Sequence, residues 1–484
     1  ISASFPFWKR GVVLLVGACL IGLCIFGIRG RTGYNPIKVS AAYFCQDAFL
    51  NQLGVSPTFN LLTSVMDDMR PENKYLHLMD EQEAITKAQA LLNRPGDANV
   101  SPLAVYRHAA KADSVQQRRP NVVLIMMESM SAKFMKHFGQ SETLTPFLDS
   151  LYTRSISFRN FYSAGIHTNH GLYATLYSFP AMMKRNLMKG SVIPRYSGLP
   201  TVLKENGYYN LFFMTHEGQY DNMNAFFRTN GYDEVFSQEN YPADKVVNSF
   251  GVQDDFLYDY AIPVLNQRAA TGQPFFATLL SISNHPPYVI PPFFHPKTSE
   301  PEMQIVEYAD WALRQFFEEA RKQPWFDNTI FVLEGDHGKL VGDAECELPE
   351  SYNHIPLMIY SSRIQPEEKT AFGGQVDIQP TILGLLNIDY LQNNFGVDLL
   401  KEERPCMFYT ADNMVVGRND TLLYLYNYET QQELTYDIGN GKLNAVPMDD
   451  SFFPLKEYSF SMLQSAEFLV KHGKTLNSIP FTQQ

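Results

Sequence analysis

A threonine stands between two histidines in "AGIHTNHGLYATLYSFP", residues 164–180, just ahead of an apolar run able to open a helix. Thr168 has two readings. Its hydroxyl can cap the helix by accepting a backbone N–H, or it can act as a nucleophile once a divalent cation lowers its pKa. Partners for the second role lie elsewhere. Glu128 follows "NVVLIMM", and Asp336 with His337 follows "TIFVLEG". Two acids and an imidazole make a ligand set for a hard or borderline divalent ion. Each also has a plain structural use, the Glu as a capping acceptor and the Asp-His pair as a loop hydrogen bond. His216 ends "YYNLFFMT" and His285 sits in "SNHPPY", both open to the same choice between buried packing and chemistry.

Side chains scattered over two hundred residues can meet only if the fold gathers them. "NVVLIMM" is continuously apolar, the pattern of a strand buried on both faces of a parallel sheet. Short apolar runs recur in "YYNLFFMT", "PFFATLLSIS", "NTIFVLEGD" and "IPLMIYSS". Between them lie the helix-like "TPFLDSLYTRS", "GLPTVLKENG", "DDFLYDYAIPVLNQ", "EYADWALRQFFEEARKQ" and "DIQPTILGLL". This alternation predicts an α/β fold with a doubly wound, mostly parallel sheet. In such a sheet functional groups collect beyond the carboxyl ends of the strands, where Glu128, His216, Asp336 and His337 all fall. After Arg404 the aromatic-rich "CMFYTADNMVVGRNDTLLYLYNYETQQELTYDI" predicts a small antiparallel β subdomain, with a last helix near "FPLKEYSFSMLQSAEFLVKHG". Its alternating Tyr and Phe read as cross-strand packing rather than a sugar platform.

The formal charge of −12, with no long Lys/Arg run, argues against nucleic acid as a partner. An anionic substrate stays open, because a bound cation reverses the field locally. The five scattered cysteines form neither a disulfide framework nor a CxxC site. "GVVLLVGACLIGLCIFGI", residues 11–28, is uncharged and bracketed by Lys9, Arg10, Arg29 and Arg31. That is enough to cross a hydrocarbon core of roughly 30 Å as a transmembrane helix. No convincing cleavage site follows it. Basic residues at both ends leave its orientation open. Because the chain opens on Ile, further spans upstream are expected. The expected divisions are residues 1–34 for the helix and flanks, 35–118 for a membrane-proximal helical linker, 119–400 for the catalytic domain and 401–484 for the β meander and final helix.

Taken together, "PNVVLIMMES", "HTNHGLYATLYSFP", "SISNHPPY" and "LEGDHG" resemble, in order and spacing, the lipoteichoic acid synthase-like phosphoglycerol transferases of the alkaline phosphatase and sulfatase superfamily. The resemblance implies that Glu128, Thr168, Asp336 and His337 hold one divalent metal, Mn2+ ahead of Mg2+ or Zn2+, with Thr168 also the nucleophile. It implies that His285 contacts the substrate phosphate and protonates the departing alcohol, and that His216 lies on the substrate side. His167, His170 and His354 are expected to support the ligands without binding metal. Such enzymes carry a Trp-Asn-Arg element after the His216 position; here Asp221, Asn222 and Met223 stand there, so no guanidinium fork is available. Arg228, a turn later, is the candidate substitute. The implied activity is phosphoglycerol transfer from a membrane lipid, phosphatidylglycerol, to a glycan or polymer acceptor. The implied place is the inner membrane, with the catalytic domain on the extracytoplasmic face. A phosphoethanolamine transferase or a phosphodiesterase is an alternative. A sulfatase is disfavoured because "HTNHG" lacks the Cys/Ser-x-Pro-x-Arg setting, and a silent envelope scaffold needs no complete ligand set.

Overall fold

The computed structural model describes residues 6–32, 36–45, 48–70, 74–94, 101, 103–110, 119–190 and 193–477. Helix α1 (Phe7–Arg29) has no buried residue and is long and apolar enough to cross a membrane. It stops at Gly30, whose φ of 74° suits a residue without a Cβ, and whose N–H closes on the Phe26 carbonyl. Helices α2 (Ala48–Leu53), α3 (Pro57–Asp68) and α4 (Glu81–Leu92) follow. Strand β1 (Tyr106–Ala109) comes next and pairs antiparallel with β10 (Tyr390–Asn393). The stretch expected to be a helical linker therefore also contributes a strand.

The main sheet comprises β2 (Asn121–Met127), β3 (Ile156–Tyr162), β4 (Tyr209–Met214), β5 (Glu234–Phe236), β6 (Phe275–Leu280), β7 (Thr329–Gly335), β8 (Leu357–Tyr360) and β9 (Glu367–Gly374). Their order is β5-β4-β6-β2-β7-β8-β3-β9, and all neighbours are parallel except at β8. Strand β2 lies between β6 and β7, every one of its residues buried. Its side chains alternate between two cores: Val122, Leu124 and Met126 enter one, Val123 and Ile125 the other. Helices α5 (Pro146–Tyr152), α9 (Asp254–Ala269) and α10 (Pro301–Ala320) cover the second face. Helices α6 (Thr168–Tyr177), α7 (Leu199–Glu205), α8 (Met223–Thr229) and α11 (Ile378–Leu385) cover the first. This is the predicted doubly wound α/β sheet.

The separate antiparallel sheet runs β11 (Met407–Thr410), β12 (Met414–Arg418), β13 (Leu422–Asn427), β14 (Gln432–Asp437) and β15 (Asn444–Ala445) in sequence order. The last helix, α12 (Phe453–Lys471), takes the predicted place and packs on α4 through Lys471–Glu81 at 2.8 Å and Lys87–Glu457 at 3.2 Å. A buried fork pins it to the main domain: the Arg404 guanidinium donates to both oxygens of Asp377 and, at 2.6 Å, to the Tyr458 hydroxyl on α12. A planar guanidinium can serve all three at once.

Candidate metal centre

Because β2, β6 and β7 are parallel neighbours, their carboxyl ends meet at one edge. Met127 pairs with Gly335, so the next residues, Glu128 and Asp336, are delivered side by side. Strand β3 also runs toward this edge and passes its chain through Gly165 into α6. Thr168 is the first helical residue; His167 occupies the capping position and makes no side-chain cap. Thr168 is thus no cap, and its Oγ1 stands 3.5 Å from Glu128 Oε2. Glu128, Asp336 and His337 each offer a ligand atom, all within 4.8 Å of one another. The His337 Nε2 lies 3.8 Å from Glu128 Oε1 and 3.7 Å from Asp336 Oδ2.

The surroundings fix each ligand. Asp336 Oδ1 accepts from the N–H groups of Ser129 (2.8 Å) and His337 (2.7 Å), while its fully buried Oδ2 has no hydrogen-bond partner. The His337 Nδ1 faces the Gly338 carbonyl at 2.7 Å; a carbonyl only accepts, so Nδ1 carries a proton and, in the neutral ring, Nε2 is the nitrogen that keeps a lone pair. Burial, then the neighbouring Asp336, pushes the Glu128 carboxyl well above the ordinary range. A bound cation reverses both effects. The orphaned Asp336 oxygen, the crowded acids and the free imidazole nitrogen suit a divalent ion.

Gly171 brings α6 onto this edge: a Cβ there would stand 2.2 Å from the Asp336 carbonyl oxygen. Gln375 clasps the same point, donating to that carbonyl at 2.8 Å and accepting from Ala164 N–H at 2.9 Å. On β7, buried Glu334 accepts from Thr175 of α6 at 2.6 Å. Beyond β6, Asp254 Oδ1 accepts from Ile282 (2.9 Å) and Ser283 (3.0 Å), and burial raises its pKa to about 6. Asn284 donates to the carbonyls of Glu128 and Ser129 and accepts from Lys339 at 2.8 Å. Gln375, Asp254, Asn284 and Lys339 escape a motif reading, because an ordinary polar residue shows its role only once its partner is known.

His285 is half-buried, its ring 4.0 Å from that of Phe250 and its Nδ1 donating to the Pro286 carbonyl. His216 is buried beside Tyr220, its Nδ1 directed at the Glu217 carbonyl. Burial lowers both pKa values; His216 feels the charge of His285, and His285 feels those of His337 and Asp336. His285 thus lies within electrostatic reach of the carboxylate–imidazole cluster, and His216 within reach of His285. Asn222 and Arg228 are engaged elsewhere. The Asn222 amide donates to the Met188 carbonyl (2.9 Å). Arg228, in the last turn of α8, donates to Asn224 (2.8 Å) and the Val235 carbonyl (3.5 Å), so the expected replacement fork is not delivered. Asp221 instead pairs with Lys189 at 2.8 Å and lies 3.4 Å from Asn169, the residue after Thr168. Among the supporting histidines, His170 is buried with its ring 5.0 Å from that of His167, whereas His354 binds the Arg159 carbonyl and stacks on Tyr162.

The Sulfatase family matches residues 120–388, more than half of the chain and the whole stretch that builds this edge. The chain belongs to the sulfatase family. Lipoteichoic acid synthase 2 of Bacillus subtilis is 24% identical over 315 residues, covering 58% of this chain and 47% of that protein. Lipoteichoic acid synthase 1 of the same organism is 25% identical over 350 residues, covering 66% and 53%. This sulfatase-family chain therefore spans about half the length of the synthases it matches. Its fold is similar to that of a Vibrio parahaemolyticus protein of the alkaline phosphatase superfamily, with TM-score 0.73 and 26% identity over 83% of this chain and 98% of that one. The lipoteichoic acid synthase LtaP of Listeria monocytogenes has the same fold, with TM-score 0.65 at 19% identity over 81% and 98%.

Proposed function

We propose that the chain is a membrane-anchored phosphotransferase that moves phosphoglycerol from phosphatidylglycerol to a glycan or polymer acceptor through a covalent phospho-threonine. One observation carries the reading: Thr168 Oγ1 lies 3.5 Å from Glu128, which shares a 4.8 Å cluster of ligand atoms with Asp336 and His337. Glu128, Asp336, His337 and Thr168 would hold one divalent ion, with Mn2+ the first choice and Mg2+ or Zn2+ the alternatives. When bound, it lowers the pKa of the threonine hydroxyl and offsets charge on the phosphate.

In the first leg the Thr168 Oγ–P bond forms as the bond from phosphorus to the lipid alcohol breaks, and diacylglycerol leaves with a proton. In the second an acceptor oxygen bonds phosphorus, the Oγ–P bond breaks, and the acceptor's proton restores the threonine hydroxyl. His285, with its Nδ1 committed to Pro286, presents Nε2 as the group that serves the departing alcohol. His216 lines the substrate side. The N-terminus of α6 adds backbone N–H groups at the phosphate. A lipid donor fits α1 beside the domain, and the similarity to lipoteichoic acid synthases supports both donor class and acceptor class. The inner membrane, with the domain on its extracytoplasmic face, is the proposed setting.

Incubating the full chain in detergent with Mn2+ and phosphatidylglycerol tests this. Intact-mass analysis is expected to find a phosphoglycerol adduct, absent in Thr168→Ala, together with released diacylglycerol. A chain that releases no diacylglycerol under these conditions sinks the proposal.

A further inference from the structure

A surface helix ordinarily turns its apolar stripe toward the core. Helix α3 does the reverse. Leu61, Leu62, Val65, Met66 and Met69 recur at helical spacing along it and just past its end, each between 49% and 78% exposed. The opposite face carries Phe59, Asn60, Thr63 and Ser64, all half-buried, with the Asn60 Oδ1 shut off from solvent. Such exposure is local. Nine large apolar side chains are exposed between residues 37 and 69, against four among the described residues from 119 to 477. An apolar face of this kind marks a contact with another apolar phase, protein or lipid.

Its place in the fold says which. The Ile37 N–H donates to the Arg29 carbonyl at 2.9 Å, so the chain turns back on the end of α1. A short 3-10 turn, Val39–Ala42, follows, and Gly54 after α2 packs on it: a Cβ there would stand 3.2 Å from that of Ala42. Helix α3 opens at Pro57, just beyond. Its other end comes back to the same point. Burial first, then the charges of Lys189 and Arg70, lower the pKa of Lys38, so Arg70, next to Met69, lies within reach of the residue next to Ile37. Both ends of α3 are thus held near the end of α1, where Ile28 is 76% exposed. One bilayer can cover both helices.

We infer that α3 lies in the interface of the bilayer that α1 crosses, its apolar stripe among the outer acyl-chain carbons and its polar face turned to the protein. A single span leaves a domain free to swing; this second contact fixes the domain's height over the lipid. The inference rests on α1 as the membrane span and is independent of the chemistry at Thr168. The test uses the full chain in vesicles of phosphatidylcholine and phosphatidylglycerol, with p-benzoylphenylalanine placed at position 62, 66, 21 or 293. After illumination and digestion, mass spectrometry is expected to find lipid adducts at 62 and 66, as at 21 within α1. Position 293, an exposed Phe of the main domain, is expected to give none. A second measurement needs no photoprobe. The double variant Leu62→Gln, Met66→Gln is expected to exchange the amides of residues 57–66 at least tenfold faster in vesicles, with those of 121–127 unchanged. A stripe facing water has no such protection to lose. Adducts at 21 with none at 62 or 66, adducts at 62 or 66 that join two chains instead of lipid, or unchanged exchange in the double variant each overturn the inference. Absence of lipid adducts at 21 as well brings down the membrane span and the inference with it. Failure to find a threonine adduct overturns the transferase reading alone.

Discussion

Glu128 and Asp336 are crowded together in a dry place, and each is held there by backbone geometry rather than by choice of partner. Two negative charges so placed repel one another, and a cation between them relieves the repulsion. Glu128→Gln is therefore expected to melt higher than the unsubstituted chain in EDTA, yet to gain less on addition of Mn2+; calorimetry in the two buffers checks both signs. At a hundredfold excess over its dissociation constant the ion should add about 2.7 kcal/mol to the unsubstituted chain. Gly171 is tested by the opposite operation, adding one methyl group. Gly171→Ala forces α6 away from the Asp336 carbonyl, and overpacking of this sort costs about 1–3 kcal/mol. Its distinguishing mark is loss of the Mn2+-induced rise in melting temperature, because Thr168 moves with the helix.

Strands and helices meet through a few buried polar joints, and one of them couples the β meander to the main sheet. Glu350 accepts from Tyr162 of β3 at 3.0 Å and from Arg418 of β12. Burial pushes its carboxyl up, but Arg418 and the Tyr162 hydroxyl prevail and bring it down to about 2. A depressed acid stabilises the fold above its unfolded value near 4.5, and this contribution is lost as the pH falls toward 2. With 42% of the Glu350 side chain open to solvent, screening holds the pair to about 1 kcal/mol or less. Glu350→Gln is accordingly expected to melt slightly lower than the unsubstituted chain at pH 6, with the gap narrowing below pH 4.5 and closing toward pH 2. A gap that widens on acidification contradicts the assignment.

The molecule as a whole sets an apolar helix beside a domain whose proposed donor is a lipid. Arg31, just beyond α1, binds Glu217 at 2.8 Å, and Glu217 follows His216, so the chain just beyond the helix touches the segment that carries the histidine proposed to face substrate. Removing residues 1–30 is expected to lower diacylglycerol release from phosphatidylglycerol vesicles at least tenfold. Release from a short-chain, micelle-forming phosphatidylglycerol should change little. Equal losses on both donors would show that the segment supports the fold rather than access to lipid.

Much of this was legible in the sequence. Runs such as "NVVLIMM" are buried on both faces, so hydrophobicity alone announces a parallel strand, and the residue after the run falls at the sheet's carboxyl edge. That logic found Glu128, Asp336, His337 and His216. Strands β3 and β9 carry Ser, Arg, Asn, Glu and Lys among their apolar residues, giving no such run. Strand β1 exists only because β10, nearly three hundred residues later, pairs with it. Whether Arg228 faced the site was likewise undecidable from spacing, since Asn224 and Val235 compete for its guanidinium. Asp412 meets His167 only because the meander folds back against α6. The chain by itself determined which side chains end at the functional edge, because strand burial and residue order are local properties. The tertiary structure alone decided which polar groups surround them, because hydrogen bonds join partners that sequence distance does not relate.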